Sequence, residues 1–237
     1  MIIQTLIEMK RLYQPTQNIA ELDPALPGTN GQGGIKFKIF ARSNILVIGA
    51  SGSGKTTTVL DIIKNRLVEG TQTKILYMYA AHQKFMDDWN KQAGNPSIEF
   101  IKGLHLEIID KYEGSKILVI DDLILEINRD FANHIIAGSH HKNVTTFFIS
   151  HVVFLNNELY RLISNNCQYI MLFKNKRNAG QIVRLARQIF GSNVERCMEA
   201  YKSLESYQSL LLSFHPRVPE ELMVTTNFFT KCPSVFI

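Results

Sequence analysis

The segment "GASGSGKT", Gly49 to Thr56, constrains the fold of this 237-residue chain more than any other feature. It matches G-x-x-x-x-G-K-[ST] at every fixed position, follows the apolar run "NILVIG" and opens the helical pattern "KTTTVLDIIKNRL". Glycines let backbone N–H groups wrap an anion there, and the helix N-terminus adds its positive dipole. The segment therefore predicts a phosphate-binding loop. Its predicted nucleotide-binding residues are Gly49, Ala50, Ser51, Gly52, Ser53, Gly54, Lys55, Thr56 and Thr57.

Short apolar runs alternate with helical patterns along the chain. The runs are nearly continuous rather than alternating, as in a parallel sheet whose two faces are covered by helices. This order predicts an α/β fold of the P-loop NTPase (RecA-like) class, with a central, mostly parallel sheet flanked by helices. Strands are predicted at 44–49, 74–80, 116–121, 144–150 and 168–173, with a short one near "IEFI" and two edge strands in "SLLLSF" and "MVTTNFF". Helices are predicted at 54–68, 82–92, 129–138, 155–164, 178–189 and 192–203.

Length and composition fit one large domain. The chain is 45% hydrophobic and 20% charged, and none of its apolar runs approaches the 18 or so residues of a membrane span. The opening "MIIQTLIEMKRLY" lacks the basic start of a signal peptide, and three well-separated cysteines suit a reducing compartment. We expect residues 1–40, with the turn-rich "DPALPGTNGQGG", to be an N-terminal extension. Residues 41–237 would form the P-loop domain, including a closing strand–Pro–strand element.

Two carboxylates end the apolar run "KILVIDDL". A bound nucleoside triphosphate needs Mg²⁺, for which the Thr56 hydroxyl and Asp121 are the predicted ligands. Lys55 is expected at the β- and γ-phosphates, and Asp122 could polarise the attacking water. The alternative is a pair of solvated aspartates that cap a helix. ATP and Mg²⁺ are the predicted cofactors.

The next apolar run, "VTTFFISH", stops at Ser150 and His151. In motor-type P-loop folds, the strand after the acidic pair inserts between the acidic strand and the loop strand. By that analogy, Ser150 and His151 would emerge beside the γ-phosphate, where they could sense it and orient water. The alternative is that polar residues simply mark the end of a buried strand.

Two other enzyme classes fit this pattern less well. A GTPase would need the guanine-reading motif N-K-x-D, but in "NKRN" Asn178 stands where the carboxylate should be. A nucleoside or nucleotide kinase could use Arg184 and Arg187 as phosphate clamps, but would normally lack the second carboxylate and the polar-tipped strand. The kinase remains an alternative.

Basic residues are concentrated in the second half of the chain. The net charge is +5, and no acidic residue occurs between Leu159 and Val194. This distribution suits contact with nucleic-acid phosphates, which is independent of base sequence and sensitive to salt. A solvated helix face is the alternative. The candidate DNA-contacting residues are Lys174, Lys176, Arg177, Arg184 and Arg187.

The stretch from "NVTTFFISH" to "QIVRLARQIFG" resembles a family. Its blocks "RLISNNCQYIMLFKN" and "QIVRLARQIF", together with the closing "SLLLSFHPRVPEELMVTTNFF", are similar to the poxvirus-like DNA-packaging ATPases of large eukaryotic DNA viruses, virophages and Polinton-type elements. These ATPases belong to the FtsK–HerA superfamily of P-loop DNA pumps. The likeness runs from about residue 44 to residue 230.

The resemblance implies a ring of subunits that hydrolyses ATP and packages double-stranded DNA into a preformed capsid. Its partners would be double-stranded DNA, other copies of the chain, and a capsid or portal vertex protein. It would act in the host cytoplasm or nucleus, at the site of virion assembly, or be present in the virion, and would not be secreted. A related non-packaging DNA motor is the closest alternative.

One position departs from the family pattern. Relatives usually carry an arginine just before the sensor strand, which acts on the γ-phosphate of a neighbouring subunit, whereas this chain has His140. A neutral histidine is a poor substitute for a permanent charge. Lys142, Arg129 or Arg161 could supply the cation, and Arg161 is favoured because it matches the family's "RxIS" block. The predicted catalytic residues are Lys55, Asp122, Ser150, His151 and Arg161.

Overall fold

The structure is a computed structural model that describes residues 29–30, 34–35, 38–153, 158–175, 177, 179–228 and 234–236. Of residues 29–30, 34–35 and 138–141, only the backbone is described. Most of the expected N-terminal extension therefore lies outside the described residues. Among the helices that are described, none is both long enough and apolar enough to cross a membrane.

The strands form two sheets. A small hairpin pairs β1 (Thr29–Asn30) with β2 (Gly34–Ile35). The remaining strands are β3 (Asn44–Ile48), β4 (Lys74–Tyr79), β5 (Glu99–Lys102), β6 (Lys116–Asp121), β7 (Val144–Ser150), β8 (Tyr169–Phe173), β9 (Ser209–Ser213), β10 (Val224–Thr226) and β11 (Ser234–Val235). They join in the order β11-β10-β9-β8-β3-β7-β6-β4-β5.

The strands from β8 to β5 in this order are parallel, and β9, β10 and β11 extend the sheet in antiparallel fashion. The strand β7 lies between β3 and β6, which confirms the predicted insertion. Its register places Ser150 opposite Ile48, and Ile149 opposite Asp121. The carboxyl ends of the loop strand, the sensor strand and the acidic strand therefore meet at one edge of the sheet.

Helices cover both faces of the large sheet. They are α1 (Lys55–Lys64), α2 (Phe85–Trp89), α3 (Leu106–Lys111), α4 (Arg129–His141), α5 (Glu158–Asn165), α6 (Ala179–Phe190) and α7 (Val194–Ser203), with a 3-10 turn at Glu220–Leu222. Residues from α1 and α2 pack into the core on one face, and residues from α3 to α7 pack into the core on the other. The predicted α/β fold, with a mostly parallel sheet flanked by helices, is confirmed.

The two cores explain why the strands lack an alternating pattern. In β3, Leu46 and Ile48 belong to one core, while Ile45 and Val47 belong to the other. Successive side chains of a strand point to opposite faces, so a strand covered on both faces must be apolar at nearly every position.

Several predicted elements differ from the observed ones. The runs "SLLLSF" and "MVTTNFF" were expected to be edge strands, but β9 pairs with both β8 and β10, and β10 pairs with both β9 and β11. The leucines of β9 enter both cores. The first helix was expected to reach residue 68, but it ends at Lys64 because Arg66 adopts a left-handed backbone with φ 53°. The second was expected over 82–92, but only Phe85–Trp89 is helical, since the Asn90 side chain bonds both backbone groups of Ile98.

Candidate active site

The loop between β3 and α1 requires glycine at several positions. Gly52 and Gly54 have positive φ angles of 73° and 99°, which L side chains adopt only under strain. A Cβ atom on Gly49 would lie 2.5 Å from Ser53 Oγ and 2.7 Å from Phe173 Cβ. The first helical turn begins where Thr58 N–H donates to the Gly54 carbonyl at 2.9 Å. The predicted phosphate loop is therefore folded as its sequence requires.

The loop borders a cavity of about 580 Å³. Its position, beyond the carboxyl ends of parallel strands, is where open α/β sheets bind ligands. The lining residues are Ser51, Gly52, Ser53, Gly54, Lys55, Thr56, Thr57, Thr58, Asp61, Gln83, Asp121, Asp122, His151 and Tyr207. Most of the predicted nucleotide, metal and catalytic residues therefore share one pocket.

Lys55 is held in place by three contacts. Its side chain is buried, and its Nζ donates to the carbonyls of Gly49 at 2.8 Å and Ala50 at 3.0 Å. The third contact is His151 Nδ1, at 2.9 Å. Burial lowers the pKa of Lys55, and the carboxylates of Asp122 and Asp121 oppose this effect. A triphosphate placed in the loop would favour the charged ammonium further, because it adds negative charge nearby.

His151 links Lys55 to Asp122. An ammonium group has only donors, so the short contact requires Nδ1 of His151 to accept and places the ring proton on Nε2. Nε2 then donates to Asp122 Oδ2 at 2.7 Å. In this tautomer, the 3.3 Å approach of Nδ1 to the Gly49 carbonyl is not a hydrogen bond. Asp122 itself has a φ of 56°, a left-handed backbone that is uncommon outside glycine and recurs at functional sites.

Asp121 lies on the other side of the pocket and is only 3% exposed. Its Oδ2 accepts hydrogen bonds from the Tyr77 hydroxyl at 2.6 Å and from Gln83 Nε2 at 3.0 Å. Burial raises the pKa of Asp121, and the hydrogen bond from Tyr77 opposes that rise. Burial raises the pKa of Tyr77, and the nearby Thr56 side chain opposes that rise. Tyr77 therefore lies close to both side chains predicted to bind Mg²⁺.

These residues fit a magnesium ion chemically. Mg²⁺ prefers hard oxygen ligands and is usually held by one or two protein groups together with substrate phosphates. The Thr56 hydroxyl and the Asp121 carboxylate are such donors, and both line the pocket. Among the described residues, both hydrogen bonds to this carboxylate go to Oδ2, which leaves Oδ1 available to a metal or to its bound water.

Ser150 does not join His151 in the pocket. It is buried, and its Oγ lies 3.2 Å from both the N–H and the carbonyl of Val152. The hydroxyl therefore shapes the turn that carries His151. Of the two side chains predicted at the end of the sensor strand, only that of His151 lines the pocket. Ser150 contacts the phosphate loop through its backbone, where its carbonyl accepts from Gly49 N–H at 3.2 Å.

The predicted trans-acting cations lie outside the pocket of their own chain. Arg161 is exposed on α5 and lines a different cavity. Arg129 pairs with Glu158 at 2.8 Å, and Lys142 pairs with Asp110 at 2.6 Å. The side chain of His140 lies outside the described part of the structure. Of these cations, Arg161 is the one whose guanidinium has no carboxylate partner within the described ranges.

The five candidate DNA-contacting residues differ in their surroundings. Lys174 Nζ donates to the Lys202 carbonyl at 2.8 Å and also to the Leu204 carbonyl, so its ammonium caps the end of α7. Lys176 lies outside the described residues. The remaining three are exposed at the surface: Arg177, Arg184 and Arg187.

Five lining or supporting residues were not predicted from the sequence: Thr58, Asp61, Tyr77, Gln83 and Tyr207. Side chains alternate between the two faces of β4, and this alternation indicates the face on which Tyr77 lies. The register pairs Tyr79 with Asp121, and residues two apart on a strand share a face, so Tyr77 lies on the face of Asp121. Without knowing that β4 neighbours β6, however, the tyrosine could not be assigned to the site. Gln83 and Tyr207 lie in connections, where no periodic pattern indicates a side chain's position.

Comparison with known proteins connects this geometry to other P-loop proteins. A family model described as the viral superfamily 1 RNA helicase core domain matches residues 45–147, less than half of the chain. The crystal structure of B204, the DNA-packaging ATPase of Sulfolobus turreted icosahedral virus, is similar with a TM-score of 0.51 and 12% identity, over 75% of this chain and 95% of that one. Among curated proteins, no relative matches.

A second similar structure is the genome packaging NTPase B204 of Sulfolobus turreted icosahedral virus 2 in complex with AMPPCP. It has a TM-score of 0.51 and 13% identity, and the match covers 75% of this chain and 95% of that chain. At such low identities, the likeness concerns the fold. The sheet order, the phosphate loop and these comparisons together show that the chain has the fold of a P-loop NTPase.

Proposed function

We propose that the chain is an ATPase that assembles into a ring and translocates double-stranded DNA, and that it packages a viral genome into a preformed capsid. The observation that carries the ATPase part is the insertion of β7 between β3 and β6, which brings His151 between Lys55 and Asp122. The packaging part is supported by the family resemblance, which runs from about residue 44 to residue 230, and by a fold shared with two viral genome-packaging NTPases.

The pocket residues divide the chemistry among them. Lys55 would leave His151 to bind the β- and γ-phosphates, and Asp122 would then be available to hold and polarise the attacking water. Bound Mg²⁺, held by Thr56 and Asp121, would neutralise phosphate charge. Because His151 contacts both Lys55 and Asp122, it would respond when a γ-phosphate captures the ammonium. Loss of that phosphate would restore the contact, and the turn after β7 would shift with each cycle.

Two further roles require contact with other molecules. Arg161 would reach the γ-phosphate of a neighbouring subunit, since it is exposed and pairs with no carboxylate among the described residues. Arg177, Arg184 and Arg187 would contact DNA phosphates. The ATPase domain would comprise residues 41–237, and a capsid or portal vertex protein would dock the ring.

A helicase-type motor is the second candidate. It is favoured by the family match over residues 45–147, which contains the phosphate loop, the acidic pair and most of β7. Such a motor would respond to single-stranded RNA rather than to duplex DNA. A nucleotide kinase is less well supported, because Arg184 lines a cavity that does not include the phosphate loop.

The test is the rate of ATP hydrolysis with linear double-stranded DNA, single-stranded DNA, single-stranded RNA or no nucleic acid. Double-stranded DNA of any sequence should stimulate turnover, and Lys55→Ala should abolish it. Lys64→Ala is the control, because Lys64 is exposed at the far end of the same helix. Stimulation by RNA alone would identify the helicase alternative, and phosphorylation of a deoxynucleoside would identify the kinase.

A further inference from the structure

Tyr207 combines two features that are costly for an aromatic residue. Its side chain is 74% exposed, although large apolar rings are usually covered. Its backbone has a φ of 67°, in the left-handed region that bulky residues rarely enter. Strained conformations of this kind persist where the surroundings enforce them, and they concentrate at ligand sites.

The turn that holds Tyr207 is fixed by its neighbours. Gln208 N–H donates to the Glu205 carbonyl at 3.2 Å, and Glu205 N–H donates to Gln208 Oε1 at 2.7 Å. Just before the turn, Lys174 caps the end of α7 through the Lys202 and Leu204 carbonyls. The ring of Tyr207 is therefore presented by a rigid turn between α7 and β9.

The ring lies against the phosphate loop. A Cβ atom built on Gly54 would be 3.6 Å from Tyr207 Cδ1. Tyr207 lines the same cavity as the loop, and within the described lining it is the only tyrosine, phenylalanine or tryptophan. The acidic pair and His151 mark the γ-phosphate end of a triphosphate bound in the loop. The nucleoside, at the other end of the triphosphate, must therefore lie away from these three residues.

We propose that Tyr207 is the platform on which the base of the bound nucleotide stacks. This inference rests on the proposed ATPase function and adds to it a binding residue for the base. Stacking uses the face of the base, and every base has a π-face, so the platform would accept adenine and guanine alike. A base stacked on the ring would cover its exposed face.

The test compares the affinity of the full-length protein for MgATP and MgGTP among variants of Tyr207. Tyr207→Asn removes the ring but keeps a residue that tolerates the left-handed backbone. It should raise both dissociation constants by roughly 5- to 100-fold, as expected when one base–aromatic stack is removed. Tyr207→Phe keeps the ring and should bind like the wild type. Leu125→Ala is the matched control, because Leu125 is a similarly exposed apolar side chain outside the lining of this cavity.

Kinetics separate stacking from a structural role. In Tyr207→Asn, KM for ATP should rise while kcat at saturating ATP stays unchanged, because the ring does not touch the reacting phosphates. The proposal is overturned if Tyr207→Asn binds ATP like the wild type, if the loss is confined to one base, or if Tyr207→Phe loses as much affinity as Tyr207→Asn. These results leave the ATPase function standing if Lys55→Ala abolishes turnover, and that function fails if Lys55→Ala has no effect.

Discussion

Lys55, His151 and Asp122 form a chain of short polar contacts across the phosphate pocket. This chain of contacts satisfies a buried ammonium, which would otherwise carry a large desolvation cost. Under the proposed function, a γ-phosphate would rearrange the same contacts. At the scale of single residues, the stability of the site and its sensitivity to nucleotide would therefore depend on the same side chains.

Tyr77 offers a way to test the magnesium site without changing a ligand. We expect Tyr77→Phe to bind Mg²⁺ more weakly, so that half-maximal turnover requires a higher Mg²⁺ concentration. Turnover should also slow by roughly 10- to 100-fold, as is typical when a group that orients a ligand is removed. The missing hydroxyl also removes a hydrogen bond that lowers the pKa of Asp121. That pKa should rise, and because Mg²⁺ binds the carboxylate form, activity should be lost at a higher pH as the solution is acidified.

The measurement is ATP turnover as a function of Mg²⁺ concentration and pH. Tyr79→Phe is the control, since Tyr79 lies on the same strand and its ring packs edge-on against His82. An unchanged Mg²⁺ dependence together with an unchanged acid limb in Tyr77→Phe would show that the hydroxyl does not position Asp121.

At the scale of elements, α6 shows how a basic stretch divides between core and surface. Ile182, Leu185 and Ala186 are buried, while Arg184 and Arg187 are exposed on the same helix. The sequence predicted this helix closely because its apolar residues recur at helical spacing. Lys174 was assigned to DNA on charge alone, but its ammonium caps α7, because composition does not show where a long side chain finds its hydrogen bonds.

The helix α6 also carries a prediction about DNA. Arg187→Gln should weaken DNA-stimulated turnover to the same degree for every DNA sequence. It should also reduce the slope of log affinity against log salt by about 0.9 for each DNA phosphate that the variant no longer neutralises. Binding measured at several salt concentrations tests this, with Lys64→Gln on α1 as the control. An identical salt slope in both variants would exclude Arg187 from the DNA-binding surface.

At the scale of the whole molecule, the nearly continuous hydrophobic runs predicted the parallel sheet. The meeting of three strand ends was predicted by analogy with motor-type P-loop folds, because chain order alone does not determine which strands are neighbours. The sequence could not predict that β9 is internal to the sheet, since a three-leucine run fits an edge strand as well as a strand covered on both faces. It also placed Ser150 at the phosphate, whereas the hydroxyl bonds the backbone of Val152. The direction of a side chain at a strand end depends on the turn that follows.

The proposed ring assembly gives Arg161 a testable role. In mixtures of wild-type and Arg161→Ala subunits, turnover should fall more steeply than the fraction of variant, because each variant subunit would disable its neighbour's site. The control is Arg129→Ala, since Arg129 is paired with Glu158 within its own chain and its loss should reduce turnover in proportion at most. A proportional decrease for Arg161→Ala would assign the trans-acting cation to another residue.

We propose that hydrolysis at this site moves the protein along double-stranded DNA, and the displacement of a third DNA strand is a direct test of this movement. A labelled oligonucleotide bound as a triplex on duplex DNA should be released in the presence of the wild-type protein, ATP and Mg²⁺. Lys55→Ala, or replacement of ATP by a non-hydrolysable analogue, should leave the triplex intact. DNA-stimulated ATP hydrolysis by the wild-type protein without release of the third strand would contradict the claim.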